Sequence, residues 1–223
     1  MAAAPRRLAR RIRVAGGLSV SSRWLLPAAE GPAAVVFAHG AGQGMDSPFM
    51  RFFQNHWARG GCPVVSFNFP YMEAGRRAPD RAPLLLETLA AVVARVRREL
   101  PGLPVALAGK SMGARMATLL AARDRDFHRL VLLGYPLHPP RRPERRRDEH
   151  FPRIRTPALF LQGDRDPLCD LGLLRRSLRR LGGPWRLQVV AGGDHALRPA
   201  RRTGRTVEEA WTEVGDRALE WLE

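Results

Sequence analysis

A chain of 223 residues, 45% of them hydrophobic, has the length of one α/β domain and enough apolar mass for a sizeable core, which excludes a disordered chain. No run of about 18 apolar residues is present, so no membrane span is expected. The net charge is +16, from 37 basic against 21 acidic residues, yet Lys110 is the only lysine and the arginines spread along the chain. Together with abundant Ala, Gly and Pro, this reads as the compositional bias of a GC-rich genome. No nucleic-acid motif accompanies the charge, so a solvated surface is expected and no nucleic-acid partner.

The first segment, residues 1–30, carries arginines and no acid before Glu30, which invites a transit-peptide reading. Against that, Arg11-Ile12-Arg13-Val14, then Gly16-Gly17, then Leu18-Ser19-Val20-Ser21 reads as two alternating strands around a turn. An N-terminal hairpin on a single domain spanning 1–223 is the expectation. Short, nearly continuous apolar runs follow at 33–38, 64–67, 105–108, 130–133, 158–161 and 187–190, as buried parallel strands require. Between them, residues 84–100, 114–123 and 207–222 carry apolar residues at helical spacing, the first ending at Pro101-Gly102. This alternation predicts an α/β fold: a mostly parallel central sheet with helices on both faces. Residues 137–155, with Arg141, Arg142, Arg145, Arg146 and Arg147 among prolines, read as a short basic lid or loop.

Cys62 and Cys169 are too few for a disulfide framework or a paired-cysteine metal site, and they are compatible with a reducing cytoplasm. Cys62, before an apolar strand, reads as a small buried hydrophobe. No histidine cluster has metal-ligand spacing, and His56, His128, His138 and His150 lack a motif.

The chemistry gathers at Gly109-Lys110-Ser111-Met112-Gly113, a G-x-S-x-G pattern with an apolar strand before it and helix-forming residues after it. A sharp strand-to-helix turn exposes the serine hydroxyl beside a helix N-terminus, where developing negative charge is favoured. The same Gly-Lys-Ser could end a phosphate-binding loop, but that motif needs a glycine five residues before Gly109 and Pro104 stands there. A serine needs a base, and the base an orienting acid, in the chain order Ser, acid, His. Asp166, on the loop after the 158–161 run, is the expected acid, with Asp164 as its competitor. His195, after the last strand, is the expected base, and Asp194 a turn former. The backbone amide of Met112 would supply one oxyanion donor. The loop His39-Gly40-Ala41-Gly42 would supply the other, Ala41 first and Gly42 as the alternative. His39 itself reads as a buried hydrogen-bonding residue.

These residues resemble the α/β-hydrolase superfamily over 33–222. Asn68-Phe69-Pro70-Tyr71-Met72, Gly134-Tyr135-Pro136-Leu137-His138 and Gly163-Asp164-Arg165-Asp166-Pro167 resemble more closely its KANSL3/Tex30-like and dienelactone-hydrolase-like branches. The resemblance implies a small, nearly lidless hydrolase-like domain and no particular substrate. True dienelactone hydrolases commonly use cysteine where Ser111 stands. Lys110 departs from the commoner residues beside the nucleophile, and a structural ion pair is expected for it. Two functions are compatible with this pattern. One is a serine hydrolase cleaving a carboxylic ester or related acyl bond of a small molecule, for which no cofactor is expected. The other is a catalytically weak binding or scaffold protein that kept the fold.

Overall fold

The computed structural model describes residues 4–28 and 31–223. Residues 1–3, 29 and 30, within the expected N-terminal segment, lie outside the described residues. Eight strands form one sheet: β1 (Arg6–Arg13), β2 (Ser19–Leu26), β3 (Ala34–Ala38), β4 (Val64–Phe67), β5 (Val105–Lys110), β6 (Leu130–Leu133), β7 (Ala158–Gly163) and β8 (Trp185–Val190). Their spatial order is β1-β2-β4-β3-β5-β6-β7-β8. β1 pairs with β2, and β2 with β4, antiparallel; every other neighbouring pair is parallel. This is the mostly parallel sheet that the alternating pattern predicts.

The parallel strands are apolar throughout because both their faces are covered. Alternate residues of β3 show it: Val36 packs into one core, Val35 and Phe37 into the other. On the first side lie α3 (Ala82–Glu99), α4 (Met112–Ala121) and α5 (Leu171–Leu178), and on the second α1 (Pro48–Arg59) and α6 (Val207–Leu222). A single turn, α2 (Pro70–Glu73), follows β4. The spacing predicts α3, α4 and α6; α1 and α5 appear in addition. α1 starts at a Ser47 cap followed by Pro48, and it buries Phe49, Phe53 and Trp57. α5 is capped by Asp170, whose side chain accepts from the Leu173 amide. Between β6 and β7 the basic segment holds only one 3-10 turn, Phe151–Arg153, so no helical lid stands over the sheet. Among the described residues no helix is long and apolar enough to cross a membrane.

Because β3, β5, β7 and β8 run parallel, the loops leaving them emerge at one carboxyl edge. Those loops carry His39-Gly40-Ala41, Ser111, Asp166 and His195 respectively.

Candidate active site

Ser111 sits between β5 and α4 with φ 52° and ψ −112°, a left-handed conformation that costs a residue with a Cβ of order 1–3 kcal/mol. The surrounding backbone enforces it: the Ser111 amide donates to Leu133 O at 3.0 Å, and Arg115 N donates to Ser111 O at 3.0 Å. Neither glycine of the turn has room for a side chain: a Cβ at Gly109 would lie 2.3 Å from Ala114 N, and one at Gly113 would lie 2.1 Å from the Ala38 carbonyl oxygen. That close approach presses α4 against the end of β3 and turns the serine outward.

His195 faces it. Its Nε2 lies 2.8 Å from Ser111 Oγ, and its Nδ1 lies 2.7 Å from Asp166 Oδ2. A carboxylate only accepts, so Nδ1 carries the proton and Nε2 is the basic nitrogen turned to the serine. The Asp166 carboxylate is held on both oxygens: Gln162 Nε2 donates to Oδ2 at 2.6 Å, and the Leu168 amide to Oδ1 at 2.8 Å. Its side chain is buried, whereas Asp164 is exposed. Of the two candidates, Asp166 is the one in contact with His195. Asp194 is a turn former: Oδ1 accepts from the Ala196 and Arg198 amides, and Oδ2 binds Arg198.

Among the described residues, no acceptor engages the amides of Met112 or Ala41. Both residues border the same cavity as Ser111. The Gly42 amide, the alternative, donates instead to Tyr71 Oη at 3.3 Å. Tyr71 Oη in turn donates to Gly40 O at 3.4 Å, so one phenol ties both sides of Ala41. His39 is buried as expected: Nδ1 donates to Gly40 O at 2.7 Å and Nε2 accepts from Phe69 N at 3.0 Å. Burial lowers its pKa to about 4, so it stays neutral and serves as a brace for the loop. Removing the phenol by Tyr71→Phe is expected to lower stability by about 1 kcal/mol in urea denaturation. An unchanged midpoint would mean that water replaces the hydroxyl without loss.

Lys110 differs from expectation. Instead of an ion pair, its buried Nζ donates to the backbone carbonyl of His195 and lies 5.5 Å from the Phe49 ring centroid. Among the described residues no carboxylate is within ion-pair distance. The nearby acids are already engaged, Asp166 by His195 and Gln162 and Asp194 by Arg198. Burial lowers the Lys110 pKa to about 8, partly opposed by the charges of Asp166 and Asp194. Gly134, at φ 58°, leaves room for this contact; a Cβ there would sit 2.9 Å from Nζ and 2.7 Å from His195 O.

Sequence reasoning missed Gln162 and Tyr71 as supports. A polar residue closing the apolar strand β7 was a signal for the first; for the second there was only its place in Asn68-Phe69-Pro70-Tyr71-Met72. Both cysteines are buried thiols with raised pKa, Cys62 pushed up to about 11, which makes them poor nucleophiles at neutral pH.

The sheet order, the strained serine and the facing histidine together describe an α/β-hydrolase architecture. A family model described as an alpha/beta hydrolase domain matches residues 31–223, and the chain belongs to that family. Solved structures agree in fold at low identity. A dienelactone hydrolase from Anabaena variabilis superposes with a TM-score of 0.79 at 21% identity, covering 98% of this chain and 97% of that one. An esterase from Pyrococcus furiosus gives 0.76 at 17% identity, covering 97% and 90%. A serine hydrolase without lid from Xanthomonas campestris gives 0.74 at 19% identity, covering 96% and 94%.

Proposed function

We propose that this α/β-hydrolase is a serine hydrolase that cleaves a carboxylic ester or related acyl bond of a small molecule. The observation that carries this reading is the continuous hydrogen-bonded line from Ser111 Oγ through His195 to Asp166, on a serine held at positive φ. A serine without such a base is a poor nucleophile, and structural needs alone do not call for all three groups in this order. Ser111 Oγ attacks the acyl carbon while His195 Nε2 takes its proton, and Asp166 steadies the imidazolium that forms. The oxyanion is held by the amides of Ala41 and Met112. His195 then gives the proton to the leaving alcohol, and a water deprotonated by the same nitrogen releases the acid and regenerates Ser111.

Within the superfamily, placement in the KANSL3/Tex30-like, dienelactone-hydrolase-like branch rests on the motifs around Tyr71, Gly134 and Asp166, and the buried thiols fit a cytoplasmic setting. A cavity of about 360 Å³ next to Ser111 suits a small acyl substrate. A fluorophosphonate probe tests the proposal: it is expected to label the wild type and to leave Ser111→Ala unlabelled. No labelling of the wild type, or equal labelling of both, rejects the reading.

A further inference from the structure

The cavity beside Ser111 is lined by two arginines that have no ion-pair partner among the described residues. Arg115 lies one helical turn along α4 from Ser111, its amide donating to Ser111 O, and lines the same cavity. Arg147 lines the cavity from the end of the basic loop between β6 and β7. The loop's tip is exposed at Arg141, Arg142 and Arg145, but at Arg147 the chain is fastened. The Arg147 amide donates to Leu137 O at 2.8 Å, and its carbonyl accepts from the buried Tyr135 hydroxyl at 2.6 Å. The guanidinium is thereby brought half-buried into the cavity, where its one hydrogen bond is a long one, 3.4 Å, to Pro136 O.

Among the described residues, neither guanidinium has a carboxylate within ion-pair distance, in a fold where many other arginines do. The acid next in sequence, Asp148, is taken: it accepts from Ser177 Oγ at 2.5 Å and lies near Arg146 and Arg180 at 3.7 and 3.8 Å. The Arg115 Nε–H is buried without an acceptor. The two charges also oppose one another, since burial and then the charge of Arg115 hold the Arg147 guanidinium below its ordinary pKa. Two like charges brought half out of water without a partner cost free energy in the empty protein. A ligand that supplies the missing acceptors removes that cost.

The third charged residue of the cavity does not offset the two arginines. Asp80 lies on the wall formed by the chain entering α3, with Oδ1 bound to Arg76 Nη2 at 2.6 Å and Oδ2 buried and unpartnered. With Asp80 already paired to Arg76, the two guanidiniums leave two net positive charges facing the cavity, which favours an anionic group on the ligand. Guanidinium forks bind a planar carboxylate bidentately, and a second carboxyl is the anion that a half-ester of a dicarboxylic acid brings with it.

From this arrangement, and resting on the hydrolase reading of Ser111, we infer that the substrate is an ester bearing a free carboxylate, held by Arg115 and Arg147 while Ser111 attacks the ester carbonyl. The remaining arginines of the loop belong to its solvated surface.

A matched pair of substrates reads this subsite: monoethyl glutarate and ethyl valerate share the ester and chain length and differ by the terminal carboxylate. The wild type is expected to favour the hemiester in kcat/KM by about tenfold or more, the range of a charge-assisted hydrogen bond. In Arg115→Gln and in Arg147→Gln the preference is expected to fall towards one, with Arg147→Lys retaining part of it because charge without the fork still attracts. A wild-type ratio at or below one, or a ratio untouched by both glutamine variants, overturns the subsite even where the fluorophosphonate label shows a competent serine. Calorimetric titration of monoethyl glutarate into Ser111→Ala gives a readout independent of turnover. Saturable binding that is weakened about tenfold on adding Arg147→Gln supports the subsite even if no ester is cleaved, and absence of binding overturns it. Near-ultraviolet circular dichroism of each variant against wild type separates a lost contact from a lost fold.

Discussion

His195→Ala and Ser111→Ala are each expected to lower kcat on an activated ester by about 10⁶-fold, and Asp166→Asn by about 10⁴-fold. The double variant Ser111→Ala/His195→Ala should be no slower than either single one, because attack and proton removal are one event and neither group helps without the other. The smaller loss at Asp166 follows from what its carboxylate does. Its Oδ2 accepts the His195 Nδ1 proton at 2.7 Å and so leaves Nε2 bare towards Ser111. An asparagine amide turned to Nδ1 would donate rather than accept and would select the other tautomer, leaving no lone pair for the serine proton. The amide group could flip, but Gln162 Nε2 and the Leu168 amide both donate to this side chain, so three donors meet a group with only one acceptor oxygen. Steady-state kinetics of the three single variants and the double variant checks this. Additive losses in the double variant, or an Asp166→Asn enzyme within tenfold of wild type, would mean that Ser111 is activated by something other than this line.

How far the sequence carries depends on whether a residue acts through pattern or through contact. The parallel strands were legible because strands buried on both faces must be apolar without alternation, as 33–38 and 158–161 are. That Ser111, Asp166 and His195 meet was legible for a related reason: a parallel sheet sends every loop after a strand to one edge, so order along the chain becomes proximity in space. α1 was not singled out although it has a Ser47-Pro48 start, because its buried face is aromatic and reads equally as strand material. Contacts across the fold left no local trace. That Gln162 holds Asp166, that Tyr71 brackets Ala41, and that Arg147 and Arg115 border one cavity depend on where distant loops return. Lys110 shows the limit best. Its neighbours in sequence suggest a crowded charge needing a partner, and the partner turned out to be a backbone carbonyl 85 residues away.

That lysine carries the second large effect, which is on stability. Its pKa is about 8 in the folded chain against 10.5 in the unfolded one, with burial as the main cause. Below pH 8 both states hold the proton, and folding bears the full cost of burying the charge. Between about pH 8 and 10.5 the unfolded chain still holds the proton while the folded one releases it, so folding stability rises with pH across that window and levels off above it. The rise between about pH 7 and pH 10 is on the order of 2–3 kcal/mol from this group alone. Other groups titrate there too, so the measurable quantity is the stability of wild type relative to Lys110→Met at each pH, which cancels what the two proteins share. Denaturant unfolding should show wild type gaining on the methionine variant as pH increases; a flat difference, or one of opposite sign, would show that the folded protein keeps its proton. The same substitution removes the donor on the His195 carbonyl, so the variant should also lose activity on a fixed ester at neutral pH, where stability alone would not predict a loss. A buried cation that costs folding energy at neutral pH yet holds the loop of the base is what a trade of stability for site geometry requires, and the opposite signs of the two effects make that trade measurable in one variant.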